Sequence, residues 1–380
     1  KVKLSSNLET ISSSAFRECN SLTTIDGDLP GTLEKIESWA FGKCYSLRTI
    51  NFPPSLETIE SFAFYDCCSL TKIALPVNLT TLGDSAFYNC NSSSGELVIP
   101  GKITTISNST FMLCSSLTKL TLHPDFQSTQ NSTFRGCSSL KEVDFSTGIK
   151  TIGQYSFAYC SELQKTPGSV NDVNFPGSLT EIENNAFFNC SKLKTINFTE
   201  NLTSIGSSAF QYCSSLGKNL EFPPNLESIS SYAFANCISL ETIDLHENIT
   251  QLDEGCFSYC SGLTGTINIS YITTLSSYAF EYCTQISYVV FKSSLNEIGN
   301  YAFQHCYNLQ NLTFMDSLET IGYGSFSHCS SLSNISFNRK LYYIRNYAFE
   351  YCTSLTRLDF CSLVSIYNYV FQYCSNIKEI

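Results

Sequence analysis

Charge is scarce in this sequence. Only 14 % of its 380 residues are Asp, Glu, Lys or Arg, and they leave a formal net charge of −11. That acidic balance argues against nucleic acid and anionic membrane surfaces as partners. Histidine is confined to His123, His246, His305 and His328. None of the G-x-S-x-G, Walker A, H-E-x-x-H, G-x-G-x-x-G or calcium-loop signatures occurs, so the commonest nucleophilic, phosphate-binding and metal-dependent machineries are not indicated. The expectation is a non-enzyme with no catalytic residue, no metal and no cofactor. No apolar run approaches the roughly 18–20 residues needed to span a bilayer, and no lipidation motif is present.

What is abundant is phenylalanine (28), tyrosine (22) and cysteine (19), and their placement is periodic. Sixteen copies of one unit centre on Phe16, Phe41, Phe64, Phe87, Phe111, Phe134, Phe157, Phe187, Phe210, Phe234, Phe257, Phe280, Phe303, Phe326, Phe349 and Phe371. The usual step is 23 residues. Two steps are clearly longer, at "DGDLPG" (26–31) and at "QKTPGSVNDVNFPG" (164–177), and insertions in an array map to surface loops. The residue eight before each Phe is always apolar, and the residue five before is apolar except at Thr129. The residue just before is small in nearly every copy, and Cys follows three later in all sixteen.

This spacing reads as a strand followed by a short helical turn. Leu70-x-x-Ile73-x-Leu75 alternates like a strand and stops at Pro76, which cannot continue a ladder. Ile-x-x-x-Ala-Phe-x-x-Cys places apolar groups on one face of about two α or 3₁₀ turns. One such unit cannot bury its own apolar side, but stacked units can. The chain is therefore expected to be a single solenoid over 1–380, with a longer loop at 164–177. Val2 and Leu4 at one end, and Ile377 and Ile380 at the other, are expected in strands. Both ends would then expose core, as in a piece of a longer protein or a subunit that assembles end to end.

The repeat L-x-x-I-x-x-x-A-F-x-x-C-x-x-L-x-x-I resembles the BspA-like, or Treponema pallidum type, leucine-rich repeats over the whole length. The resemblance implies an α/β solenoid: a right-handed leucine-rich-repeat horseshoe with a concave parallel β-sheet and short helical turns on the convex side. It also implies a protein of a parasitic protist or bacterium, at the cell surface or outside the cell. The implied role is adhesion to host matrix or host-cell protein ligands. The alternative is an intracellular scaffold or self-assembling filament protein, because nineteen Cys without evident pairing fit a reducing compartment. Eleven N-x-[S/T] sequons add little, being close to what this composition gives by chance.

The cysteines admit three readings. Equivalent side chains on stacked units point parallel, which suits disulfide geometry poorly. Zinc sites need converging, closely spaced pairs, which a 23-residue step does not provide. A buried ladder of small hydrophobes that donate weakly to backbone carbonyls is favoured. Cys68 and Cys361 fall outside that ladder.

Two surfaces are candidate binding faces. The outward strand positions Asp26, Asn51, Thr121, Asp144, Asn197, Glu221, Asp244, Asn268 and Asp359 would line the concave side. The alternative there is an ordinary solvated sheet. The positions two before and two after the Phe hold Tyr278, Tyr282, Tyr301, His305, His328, Tyr347, Tyr351, Tyr369 and Tyr373. On a helix these are i and i+4 and share one convex face. Self-stacking that tiles the outer wall is favoured for them over an amphipathic binding strip. His305 and His328 belong to that column rather than to a metal pair.

Overall fold

The computed structural model describes residues 2–291, 295–360 and 363–378. The chain divides into two compact units, Lys1–Asn201 and Leu202–Ile380. Each is a parallel β-solenoid in which one repeat makes one rung. Cys361 and Ile380, both assigned from sequence, lie outside the described residues.

Two strand tracks run along each unit. The first is built from pairs of residues only, such as Thr10–Ile11, Lys35–Ile36, Thr58–Ile59 and Thr81–Leu82, which pair in parallel and in register. Its inward member is the apolar residue five before the Phe. The second track lies after the Cys, as in Gly95–Val98, Leu117–Thr121 and Glu142–Asp144. In Leu202–Ile380 it includes Gly265–Asn268, Ile286–Val290, Asn311–Thr313 and Asn334–Ser336. The expected strand at 70–75 is not formed. Leu70 and Ile73 are buried as read, but backbone bonds join this stretch to its neighbours only at Thr71. Leu4 and Ile377 are likewise outside strands, and Val2 makes an isolated bridge to Ile25.

The steps Phe87 to Phe111 and Phe210 to Phe234 each carry one extra residue. Both are absorbed as a register shift in the second track, at Gly95/Glu96 and Lys218/Asn219. Gly95 and Lys218 take positive φ (86° and 61°), as residues at such bulges can. The insertion at 164–177 leaves the track after the Lys165–Glu142 bridge and rejoins it at Asp172–Asn174. Its neck is closed by Thr166 N–H donating to the Asp172 carbonyl (3.0 Å).

The expected helical turns are absent: among the described residues there is no helix. The stretch around each Phe is instead a chain of β-turns, and its hydrogen bonds alternate. In the Phe303 rung, the N–H groups of Tyr301, Phe303 and His305 donate to the next rung, at Tyr323, Ser325 and Ser327 (2.7–2.9 Å). The N–H groups of Ala302, Gln304 and Cys306 donate three residues back, to Gly299, Tyr301 and Phe303 (3.1–3.3 Å). A helix would direct every N–H along its own axis and leave the rungs unjoined. The alternation needs a left-handed residue at the third position of every other turn. In all sixteen rungs the residues two before and two after the Phe have positive φ, near 60°.

The core is a stack. Within each unit the Phe and the apolar positions five and eight before it are buried in the inner rungs, and the Phe rings lie 5.0–5.7 Å apart with planes within 2–15°. That is offset stacking, worth about 0.5–1.5 kcal/mol per pair beyond burial. The polar exception is also resolved. Buried Thr129 shares a hydrogen bond with Ser156 Oγ (2.7 Å) and accepts from Gly153 N–H (2.9 Å).

Candidate functional site

The cysteines close on the backbone. Cys306 Sγ donates to the Phe280 carbonyl (3.3 Å), Cys329 Sγ to Phe303 (3.3 Å) and Cys352 Sγ to Phe326 (3.2 Å), and the pattern repeats through both units. The Phe303 carbonyl thus accepts from its own rung's Cys306 N–H and from the next rung's thiol. The described cysteines form no disulfide; those of the ladder are buried except Cys19 in the first rung, and Cys68 is half-buried. Burial pushes the inner ladder thiols up, Cys114 and Cys260 to about 12, whereas a hydrogen bond from Cys352 lowers Cys374 in the last rung. These groups hold the array together and carry no reactive chemistry.

The outward strand residues are brought into line where the second track pairs. Thr121 sits beside Asp144, and Glu221 beside Asp244. Asn197 pairs in register with Asn174 and donates to its side-chain oxygen (2.6 Å). Asn51 donates to Asp28 (2.7 Å) and Thr121 to Glu96 (2.7 Å). Asp26, Asn268 and Asp359 are exposed, and Arg357 pairs with Asp359 (3.1 Å). Charges here also alternate along the array: Lys119 bridges Glu96 (3.2 Å) and Glu142 (3.6 Å), and Lys165 meets Glu142 (3.1 Å). Exposed pairs of this kind contribute about 0–1 kcal/mol each.

The aromatic residues do not share a helix face. They form two separate columns, one for each left-handed position of the turn. The column two after the Phe stacks Tyr259, Tyr282, His305, His328, Tyr351 and Tyr373 at 4.1–4.6 Å. The column two before stacks Tyr278 on Tyr301 (5.1 Å) and Tyr347 on Tyr369 (5.0 Å). Between them the position is Gly324, and the ring of Tyr323 fills the gap, 5.1 Å from Tyr301 and 5.2 Å from Tyr347. Sequence reading missed Tyr323 because it lies one residue out of phase.

Bulky residues in left-handed backbone cost about 1–2 kcal/mol each. Here that cost is offset by ring stacking and by the bond each N–H makes to the next rung. Gly324 marks the place where the exchange fails: a Cβ there would lie 2.7 Å from the Tyr301 ring. Gly324→Ala is expected to destabilise the protein by about 1–2 kcal/mol, read from denaturant midpoints. A neutral substitution would show that Tyr301 can move aside.

His305 is half-buried in its column, and its Nδ1 lies 3.0 Å from the Tyr307 hydroxyl. Burial and then the neighbouring His328 lower its pKa from 6.5 to about 4. The folded state therefore refuses a proton that the unfolded chain accepts. Its stabilising contribution is complete above pH 6.5 and is lost as pH falls towards 4. An NMR titration should place the His305 midpoint near pH 4, and a midpoint at 6 or above would contradict the stacked, desolvated ring.

Rungs of this length, with parallel strand tracks and a continuous apolar stack, define a leucine-rich-repeat solenoid, a non-enzymatic repeat fold whose members commonly bind proteins. The description "BspA type Leucine rich repeat region (6 copies)" matches residues 1–95, 91–168, 166–264 and 263–378, and the chain belongs to that family. Among solved structures, it is similar to a leucine-rich repeat protein from Bacteroides ovatus, with 25 % identity, 100 % of this chain and 91 % of that one covered, and a TM-score of 0.76. It also matches the T. pallidum leucine-rich repeat protein (27 % identity, 43 % of this chain and 78 % of that one, TM-score 0.40). A third match is a leucine-rich cell surface protein from Faecalibacterium prausnitzii (20 % identity, 75 % and 86 %, TM-score 0.43). No curated protein matches. No helix of the described residues is long and apolar enough to cross a membrane.

Proposed function

We propose that this protein is a non-catalytic recognition module that binds protein ligands of host matrix or host cells at a cell surface. The observation that carries the reading is repetition of the surface itself. A polar side chain recurs at the outward position of many rungs, and Thr121–Asp144, Asn174–Asn197 and Glu221–Asp244 present such residues as in-register pairs. Such a surface suits a partner that is itself extended. Family membership supports the protein-binding part, and resemblance alone supports the surface location. Binding of the intact protein to immobilised matrix proteins and to host cells tests it. Asp144→Lys and Glu221→Lys should weaken capture if the strand face is used, and Tyr351→Ser should weaken it if the aromatic face is used. Absence of binding to every matrix and cell preparation would reject the reading.

A second reading, an intracellular scaffold or filament subunit, is favoured by the described cysteines, which form no disulfide. It requires concentration-dependent end-to-end oligomers in sedimentation, and a monomer at all concentrations would remove it.

A further inference from the structure

Between the two ring columns of Leu202–Ile380 runs a third line of side chains, the residue directly after each Phe. It reads Ser258, Glu281, Gln304, Ser327, Glu350 and Gln372. The same position in Lys1–Asn201 fixes where this line lies. There, the Arg135 guanidinium is 5.2 Å from the Tyr155 ring centre and 5.5 Å from that of Tyr159, touching both columns of the next rung. Phe188 meets Tyr159 (5.4 Å) and Tyr65 meets Phe62 (5.8 Å) from that position too. So a side chain placed directly after the Phe is wedged between the columns, and the wedge accommodates a cation.

In Leu202–Ile380 the wedge holds carboxylates instead. Glu281 is half-buried, and burial raises its carboxyl. Burial chiefly raises Tyr259, Tyr278, Tyr282 and Tyr301, and the Glu281 charge adds to the shift at all four, two from each column. Glu350 adds in the same way at Tyr347 and Tyr351. Among the described residues neither carboxylate is paired with a Lys or Arg. Ser327 lies between them, 1 % exposed, and its Oγ is the buried side-chain polar atom without a hydrogen-bond partner among the described residues. A desolvated carboxylate, as at Glu281, and an unsatisfied hydroxyl are costly unless something supplies donors.

We propose that this acidic line between the aromatic columns binds cationic side chains of an extended protein segment, with Glu281 and Glu350 as the two anchoring carboxylates. The proposal rests on the protein-recognition reading and names the chemistry of the partner. It also fixes a spacing. Over the same three rungs the column from Tyr282 to Tyr351 steps by 4.1, 4.5 and 4.5 Å, about 13 Å in all, and the adjacent stack from Phe280 to Phe349 by 5.4, 5.4 and 5.3 Å, about 16 Å, so the two carboxylates lie roughly 13–16 Å apart. An extended chain advances about 13 Å over four residues, and residues i and i+4 point to the same side. The fitting segment therefore carries two Arg or Lys four residues apart.

The probe is a labelled Gly/Ser peptide with two Arg four residues apart, compared with one spaced three apart and one with Gln in place of Arg. Binding to the full chain is followed by fluorescence anisotropy. The four-spaced peptide should bind several-fold tighter than the others and weaken as salt is raised. Glu281→Gln or Glu350→Gln alone should cost about threefold, and the double variant about tenfold with loss of the spacing preference. Unchanged melting of the variants confirms that they fold. Equal binding of the three- and four-spaced peptides, unchanged binding by the double variant, or displacement by calcium alone at low concentration would overturn the proposal. If a matrix protein binds the double variant as well as the parent, recognition stands and this site falls. If the peptide binds and no matrix protein does, the site stands and the matrix reading falls.

Discussion

Replacing Phe303 with Ala is expected to destabilise the protein by about 3–5 kcal/mol, the range for a buried Phe. The upper half of that range is favoured by its surroundings. The ring is 0 % exposed and stacked on both faces, by Phe280 at 5.4 Å and Phe326 at 5.4 Å, with Phe291 edge-on at 6.2 Å. Removing it creates a cavity and ends two stacking contacts at once. The neighbouring rungs cannot close on that cavity, because the backbone bonds of Tyr301, Phe303 and His305 hold their spacing. Denaturant unfolding measures the loss, and a cost under about 0.5 kcal/mol, typical of surface sites, would refute the inward stack.

Thiol reactivity should separate the native from the unfolded protein even more widely. The thiolate is the reacting species. A rise from 9.0 to about 12 at Cys114 and Cys260 lowers its fraction near neutral pH by about a thousandfold. Burial then slows access further. A native titration should show Cys19 reacting first and Cys68 next, with the buried ladder thiols other than Cys374, whose pKa is lowered, silent on that timescale. In denaturant without reductant all nineteen should react. Recovery of only a few would mean that the ladder is oxidised, which the parallel Sγ-to-carbonyl geometry does not provide for.

The rungs, the inward Phe and Cys, and the apolar residues five and eight before the Phe were legible, because burial repeats with the period. The turn was not. Apolar residues at spacings of four, one and three fit one face of a helix, and they fit a chain of β-turns equally well. A contrary signal was present in the outer columns, where Tyr and His alternate with Gly136, Gly255, Gly324, Asn89, Asn185, Asn189, Asn236 and Asp66. Gly, Asn and Asp are the residues that tolerate left-handed backbone, and their shared column was the clue. The abundant Tyr obscured it, since propensity assigns bulky rings elsewhere. The first strand track was invisible for another reason: two residues cannot show alternation. The outward residues were read as one strand line, but Asp26, Asn51 and Asp359 lie outside strands, and which of the others pair depends on where the ladder breaks, as it does at 70–75.

The alternating hydrogen bonds of the turn also bear on how such a chain can change over generations. Each rung offers the next the same set of acceptors that it takes from its neighbour, so duplicating or deleting a whole period leaves every ladder joined. A loss of one residue inside the turn would instead shift the left-handed positions and strand their N–H groups. The second strand track tolerates single additions, as its bulges at Gly95/Glu96 and Lys218/Asn219 attest. Unequal recombination between repeats should therefore yield alleles that differ by whole periods, with one-residue differences kept out of the turn around the Phe, as is the one between Phe360 and Leu363 in this sequence.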